Sequence, residues 1–166
     1  MADSSAEKAE APVPSFLTRF LATAGFSGYS PVASGTAGSL VGLLIYLIPG
    51  CERVMVLVTL IVVFFIIGVI TSSRMEKFYG KDPSIVVIDE VVGMWISLLL
   101  FPKSVLLMCL AFVLFRVYDI IKPPPARQID TLEGGVWIMV DDVVAAVYAN
   151  VSVRIIGLIF PVILGS

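Results

Sequence analysis

The chain has 166 residues, 58% of them hydrophobic and only 14% charged, with a mean hydropathy of +1.02. Soluble domains run at roughly 45–50% apolar and about 25% charged, and a small one must cover a large surface for its volume. A water-facing globule is therefore excluded, and a net charge of −2 with no basic stripe excludes nucleic acid as a partner.

In chain order, residues 1–15 (MADSSAEKAEAPVPS) form a polar, proline-bearing stretch that predicts a disordered tail. It has no apolar core after a basic start, so it does not read as a signal peptide. Residues 16–166 then read as a single membrane-embedded domain. Phe16–Phe26 predicts a short amphipathic helix at the membrane surface, held by Phe16, Leu17, Phe20 and Leu21. Thr36–Pro49 is an apolar run shorter than the roughly 20 residues a span requires; extended back to Ala33 it predicts a short or tilted first span. Val54–Thr71 predicts a full span, followed by a polar connection over Ser72–Ser84. Ile85–Phe101, Ser104–Ile121 and Val136–Val162 complete the set. The fold class expected is all-α, a polytopic bundle of about five membrane helices. The connection Lys122–Gly135 cannot be helical through its three prolines, which lack an amide donor and fix φ. Cys51 and Cys109 are too far apart in the chain to suggest a metal or disulfide motif.

With five spans, the tail and the loops at 72–84 and 122–135 share one side. That side carries Lys8, Arg19, Arg74, Lys77, Lys81, Lys122 and Arg127, against Arg53 and Lys103 on the other. The excess marks the first side as cytoplasmic.

The acids follow the same geometry. Asp89 and Glu90 come shortly after the 72–84 loop. Asp119 precedes the 122–135 loop by three residues, about 4.5 Å of helix rise, and Asp141 and Asp142 follow that loop closely. Five carboxylates from three helices are thus expected at one depth, just inside the cytoplasmic face. Like charges crowded into low dielectric repel, and hard carboxylate oxygens suit Mg²⁺, which typically keeps several waters and binds substrate phosphate oxygens. Each acid near a helix start also gains from the helix dipole, and Arg116 and Asp119, three residues apart, can pair privately. Together, ionisable groups at membrane depth point to function.

On the same face, Pro31–Ser39 (PVASGTAGS) places small and hydroxyl residues before a helix, where free N–H groups can hold an anion. Close helix packing through Gly35, Gly38 and Gly42 explains it equally well. Lys122 and Arg127 can bind phosphate or lipid head groups, or serve only as topology signals. Trp95 and Trp137 read as packing or interfacial anchors. The chain has no histidine, which excludes histidine-based phosphotransfer. It also lacks the Cys-x₅-Arg loop of cysteine phosphatases.

The blocks IVVIDEVVGMWISL (Ile85–Leu98), FRVYDIIKPPPARQID (Phe115–Asp130) and GGVWIMVDDVVAA (Gly134–Ala146) resemble those of the phosphatidylglycerophosphatase A family, and SPVASGTAGSL (Ser30–Leu40) resembles its N-terminal block. The likeness runs from Phe26 to Tyr148, with Glu133 standing where some members have His. It implies a bacterial inner-membrane enzyme, with N-terminus and active site cytoplasmic, that hydrolyses phosphatidylglycerophosphate with Mg²⁺ to give phosphatidylglycerol and phosphate. Matched position by position, it implies Asp89, Glu90, Asp119, Asp141 and Asp142 as metal-binding acids. Asp89, Glu90, Asp119 and Asp142 are then expected to be catalytic, Asp89 and Asp142 chiefly as ligands and Glu90 or Asp119 as ligand or general base. Gly35, Thr36, Arg116, Lys122 and Arg127 are the expected phosphate-binding set. Two other readings stand beside it. A CDP-alcohol phosphotransferase uses similar chemistry, but its long Asp-Gly…Gly…Asp…Asp signature is not found. A small cation transporter predicts acids spread through the membrane depth.

Overall fold

A computed structural model describes residues 12–160. The expected tail falls mostly on residues 1–11, and the last two residues of the final apolar run also lie outside the described residues. Among the described residues the protein is all-helical, with no strand. Its elements are α1 (Phe16–Ala22), a 3₁₀ turn (Ser27–Tyr29), α2 (Ser34–Leu47), α3 (Val54–Tyr79), α4 (Ile88–Leu98), α5 (Val105–Ile121), α6 (Ala126–Ile129) and α7 (Gly135–Ile159).

The surface helix is shorter than its apolar pattern. Ser15 Oγ accepts the Thr18 N–H at 3.2 Å and caps α1, but Ala24, Gly25 and Phe26 all adopt positive φ and end it. Phe16, Phe20 and Phe26 still cluster, with ring centroids 5.5–6.2 Å apart, and all three are exposed.

Ser72–Ser84 is not a connection throughout, because α3 runs on to Tyr79 and stops only at Gly80, whose φ is +95°. Polarity marks where a helix leaves the apolar depth, and Met75, Glu76 and Lys77 are good helix formers. Two helices, α3 and α7, are long and apolar enough to cross a membrane. α2, α4 and α5 are shorter. The 11 residues of α4 rise only about 16 Å, against a hydrocarbon core of about 30 Å.

Side-chain ties define two ends of the bundle. At one, Lys81 Nζ donates to Thr131 O at 2.9 Å, joining the loops after α3 and α5. At the other, Lys103 Nζ donates to Leu47 O at 2.8 Å and lies 3.6 Å from Glu52, joining the loops after α2 and α4. Successive long helices therefore alternate in direction.

α4 is the hub. It packs against α2, α3, α5 and α7 and is buried on nearly every side, the acids of its first turn included in part. Trp95 is fully buried there, donating Nε1–H to Gly42 O at 2.8 Å and meeting Phe64 edge-on. Gly93 lets Phe115 of α5 press on the α4 backbone.

The early end of α4 leaves carbonyls without helical partners, and α7 supplies the donors. Asn150 Nδ2 reaches Ile96 O, Ser97 O and Leu99 O at 3.0–3.2 Å. Arg154 Nη2 reaches Leu99 O at 3.2 Å, with its Nε held by Asn150 Oδ1 at 2.9 Å. Asn150→Leu, similar in size but without donors, is expected to cost about 1–3 kcal/mol because Ser97 O loses its donor, whereas Ile96 O keeps the Leu99 N–H and Leu99 O keeps Arg154. It should appear as a lower melting temperature in detergent with activity per folded molecule unchanged.

Candidate active site

The acids gather at the end of the bundle marked by Lys81 and Thr131. Asp89 and Glu90 occupy the first turn of α4. That turn is held in place because the preceding Val87 donates its N–H to Ala22 O at 2.9 Å. Asp141 and Asp142 lie two turns into α7, and Asp119 lies in the last turn of α5. All five line one cup of about 420 Å³, together with Ala33, Ser34, Gly35 and Thr36 of the α2 start, Arg116 and Lys122.

Within the cup, Asp89, Glu90 and Asp142 each offer a carboxylate oxygen within 4.8 Å of the other two. Asp89 and Asp142 are buried, at 8% and 3% exposure. One oxygen of each of the three residues is buried without a hydrogen-bond partner: Asp89 Oδ1, Glu90 Oε2 and Asp142 Oδ2. Buried polar atoms are nearly always satisfied, so a close carboxylate trio in which each residue keeps an unpartnered buried oxygen can hold a cation.

The other two acids are already paired. Asp119 Oδ2 takes Arg116 Nη1 at 2.9 Å, and the same nitrogen lies 3.9 Å from Glu90 Oε1 and 3.4 Å from Ser39 Oγ. Asp141 Oδ2 accepts from Lys122 Nζ at 2.7 Å, and its Oδ1 accepts the Asp142 N–H at 3.0 Å. Lys122, at φ +47°, also pairs with Asp130. Burial alone would lower the pKa of this ammonium, but the bonds to Asp130 and Asp141 outweigh it and hold the group above its ordinary value.

Gly35 is a packing residue as well as a rim residue. A Cβ there would land on Glu90 Oε1 and within 2.7 Å of Arg116 Nη2. Because both are ends of flexible side chains, Gly35→Ala is expected to fold normally while displacing them. A misplacement of about 1 Å can cost on the order of 10²-fold, so phosphate release should fall about 10–100-fold with little change in melting temperature.

Thr36 lines the cup as expected, whereas Arg127 is exposed on α6 and is not among its lining residues. The sequence reading missed Asp82 and Asp130. Asp82 sits at the cup mouth with φ +43°, and the desolvation imposed by the protein around its carboxyl, more than Lys122 offsets, raises its pKa. Asp130 closes the motif block, but nothing in its spacing announces the Lys122 pairing.

Six carboxylates thus line the cup against two cations, Arg116 and Lys122. An anion entering the cup therefore meets an excess of negative charge.

The phosphatidylglycerophosphatase A family model matches residues 20–157. A Bacteroides thetaiotaomicron protein, provisionally named a phosphatidylinositol-3-phosphatase, is 39% identical over 86% of this chain and 94% of its own length. The phosphatidylglycerophosphatase A of Escherichia coli K12 is 34% identical over 79% of this chain and 78% of its own length. That of Haemophilus influenzae is 37% identical over 76% and 80%. No solved structure matches. With the family model covering most of the chain and three such relatives, the chain belongs to the phosphatidylglycerophosphatase A family and is a phosphatase.

Proposed function

We propose that this protein hydrolyses the terminal phosphomonoester of phosphatidylglycerophosphate, with Mg²⁺, to give phosphatidylglycerol and inorganic phosphate. It would do so at the cytoplasmic face of a bacterial inner membrane, as a bundle that crosses five times. The observation that carries the reading is the trio of buried, unpartnered carboxylate oxygens beside Arg116 and Lys122, in a chain of this family. The alternating helices and the basic residues of the site-end loops support the topology. α2, α4 and α5 can cross as short or tilted segments because neighbouring side chains satisfy their ends.

The donor set fits Mg²⁺: hard oxygens only, unpartnered, and anionic in excess. Asp89, Glu90 and Asp142 would hold it. Bound there, the ion supplies charge neutralisation and polarisation of the phosphoryl oxygens. The chain's own groups do the rest. The start of α2, Ala33 to Thr36, lines the cup and has no side-chain cap, so its first N–H groups and the Thr36 hydroxyl can hold phosphate oxygens. Arg116 and Lys122 orient the dianion. Asp119 has one oxygen committed to Arg116, leaving the other to take a proton from the attacking water. As the water oxygen bonds to phosphorus, the bond to the glycerol oxygen breaks, and that oxygen takes a proton from solvent water and leaves as the alcohol, while Asp119 returns its proton to solvent.

The Bacteroides relative supports a second substrate, phosphatidylinositol 3-phosphate, also a phosphomonoester on a polyol head group. Transport finds no support, since the described acids lie at the site end except Glu52. Purified protein in detergent is expected to release phosphate from phosphatidylglycerophosphate faster than from phosphatidylinositol 3-phosphate, with release abolished by EDTA and restored by Mg²⁺. Release from neither lipid would sink the proposal, and a reversed preference would move it to the second substrate.

A further inference from the structure

The cup is lined from α4, α7, the start of α2 and the end of α5, so the seam between α2 and α5 adjoins it. These helices both pack on α4 and share little surface with each other. Two ties set their antiparallel register: Arg116 Nη1 to Ser39 Oγ near the cup, and Lys103 Nζ, just before α5, to Leu47 O at the far end. At about 100° per residue, the α2 flank facing α5 carries Thr36, Leu40 and Leu43, and the opposing α5 flank carries Cys109, Phe112 and Val113. Leu43 and Phe112 are half-buried against the core, whereas Leu40 and Val113 are 48% and 56% exposed. Thr36 and Ile120 border this seam and also line the cup. The apolar seam therefore runs without a break into the polar site.

A phospholipid joins head group and acyl chains through one glycerol. A phosphate in the cup must therefore have an apolar exit for its chains at membrane depth. The side of the cup lined by Asp82, Ser84 and Lys122 is polar. The apolar crevice of about 280 Å³ on the other flank of α2, lined by Phe20, Val41 and Phe64 among others, is walled off. There α2 presses on α4 so closely that a Cβ at Gly38 would sit 2.8 Å from Val87 O. The seam is the exit left.

We propose that the α2–α5 seam holds an acyl chain of the substrate phospholipid, with Leu40 and Val113 as its side walls. This makes them specificity residues that favour a lipid-borne phosphomonoester over a free one, and the assignment rests on the phospholipid phosphatase reading above. Bilayer hydrocarbon is as apolar as the seam, so the seam contributes by setting the height and direction of the glycerol linkage rather than by transfer from water.

Leu40→Trp and Val113→Trp fill the seam with side chains that a lipid-facing surface accommodates. Each is expected to raise KM for diacyl phosphatidylglycerophosphate about tenfold, the scale of a modest pocket misfit. Both kcat and the KM for the deacylated, water-soluble head group should be unchanged. Ile66→Trp, on the exposed face of α3, should change neither. Equal effects on both substrates, an equal effect of Ile66→Trp, or no effect of the seam variants would overturn the assignment. A second measurement needs no altered seam residue. Cys109 is exposed, so in a Cys51→Ser background a diacyl phosphonate analogue with Mg²⁺ should slow its alkylation by a maleimide severalfold, and the deacylated analogue should not. Alkylation unaffected by the diacyl analogue would overturn the assignment even if the lipid is hydrolysed. Failure to hydrolyse any lipid phosphomonoester would instead remove the function on which it rests.

Discussion

Asp89→Asn is expected to lower phosphate release by on the order of 10³-fold, comparable to or larger than the loss of one charge-stabilising group in other active sites. The exchange keeps the shape of the side chain and removes one charge from a trio in which each carboxylate has one buried oxygen without a protein partner. Two stability readings separate this from simple damage. Without Mg²⁺, the variant should melt no lower than the unaltered protein, because one of three mutually repelling buried charges is gone. With Mg²⁺, the unaltered protein should gain stability in proportion to the logarithm of the ion concentration above its dissociation constant, and the variant should lose most of that gain. A variant that melts lower without metal and still gains stability from Mg²⁺ would show that Asp89 serves packing, and the catalytic account would fail with it.

Arg116 should give the other large effect, of a different kind. Its guanidinium joins Asp119, approaches Glu90 and touches Ser39, at 14% side-chain exposure. Arg116→Gln leaves Asp119 and Glu90 without their cation, and breaking a buried pair from one side costs about 3–5 kcal/mol. The melting temperature should fall sharply and activity should vanish. Arg116→Lys keeps the charge but loses the planar fork that reaches several partners at once. It should fold, with kcat down about 10–100-fold because Asp119 and the phosphate are less firmly oriented. Wild-type kcat in Arg116→Lys would show that point charge alone suffices and that the fork plays no part. The two variants together separate the structural from the chemical share of one side chain.

Hydropathy and loop parity are local properties, and they were enough to read much of the molecule. The poverty of charge pointed to an apolar solvent. The order of the apolar runs and their intervening breaks predicted helices whose ends alternate, and the spacing of Asp89, Asp119 and Asp141–Asp142 from two loops predicted acids at one end. The ends of individual helices were less legible. Ser72–Tyr79 continues α3 although it is polar, and α4 is short because Asn150 and Arg154, more than fifty residues away, satisfy its carbonyls.

Which acids share a point was beyond the sequence. Asp141 and Asp142 are neighbours, yet one is committed to Lys122 and the other faces Asp89 and Glu90. That choice depends on the rotation of α7 about its axis, set where Met139 packs on Gly68 and Gly135 on Ser73. Asp82 enters the cup through a left-handed turn in a loop, and Arg127 leaves it on the short α6. Composition and periodicity thus determined the helices and the end at which charge collects. Only the packing of helix against helix decided which side chains meet, because that depends on axial rotations fixed by contacts between residues far apart in the chain.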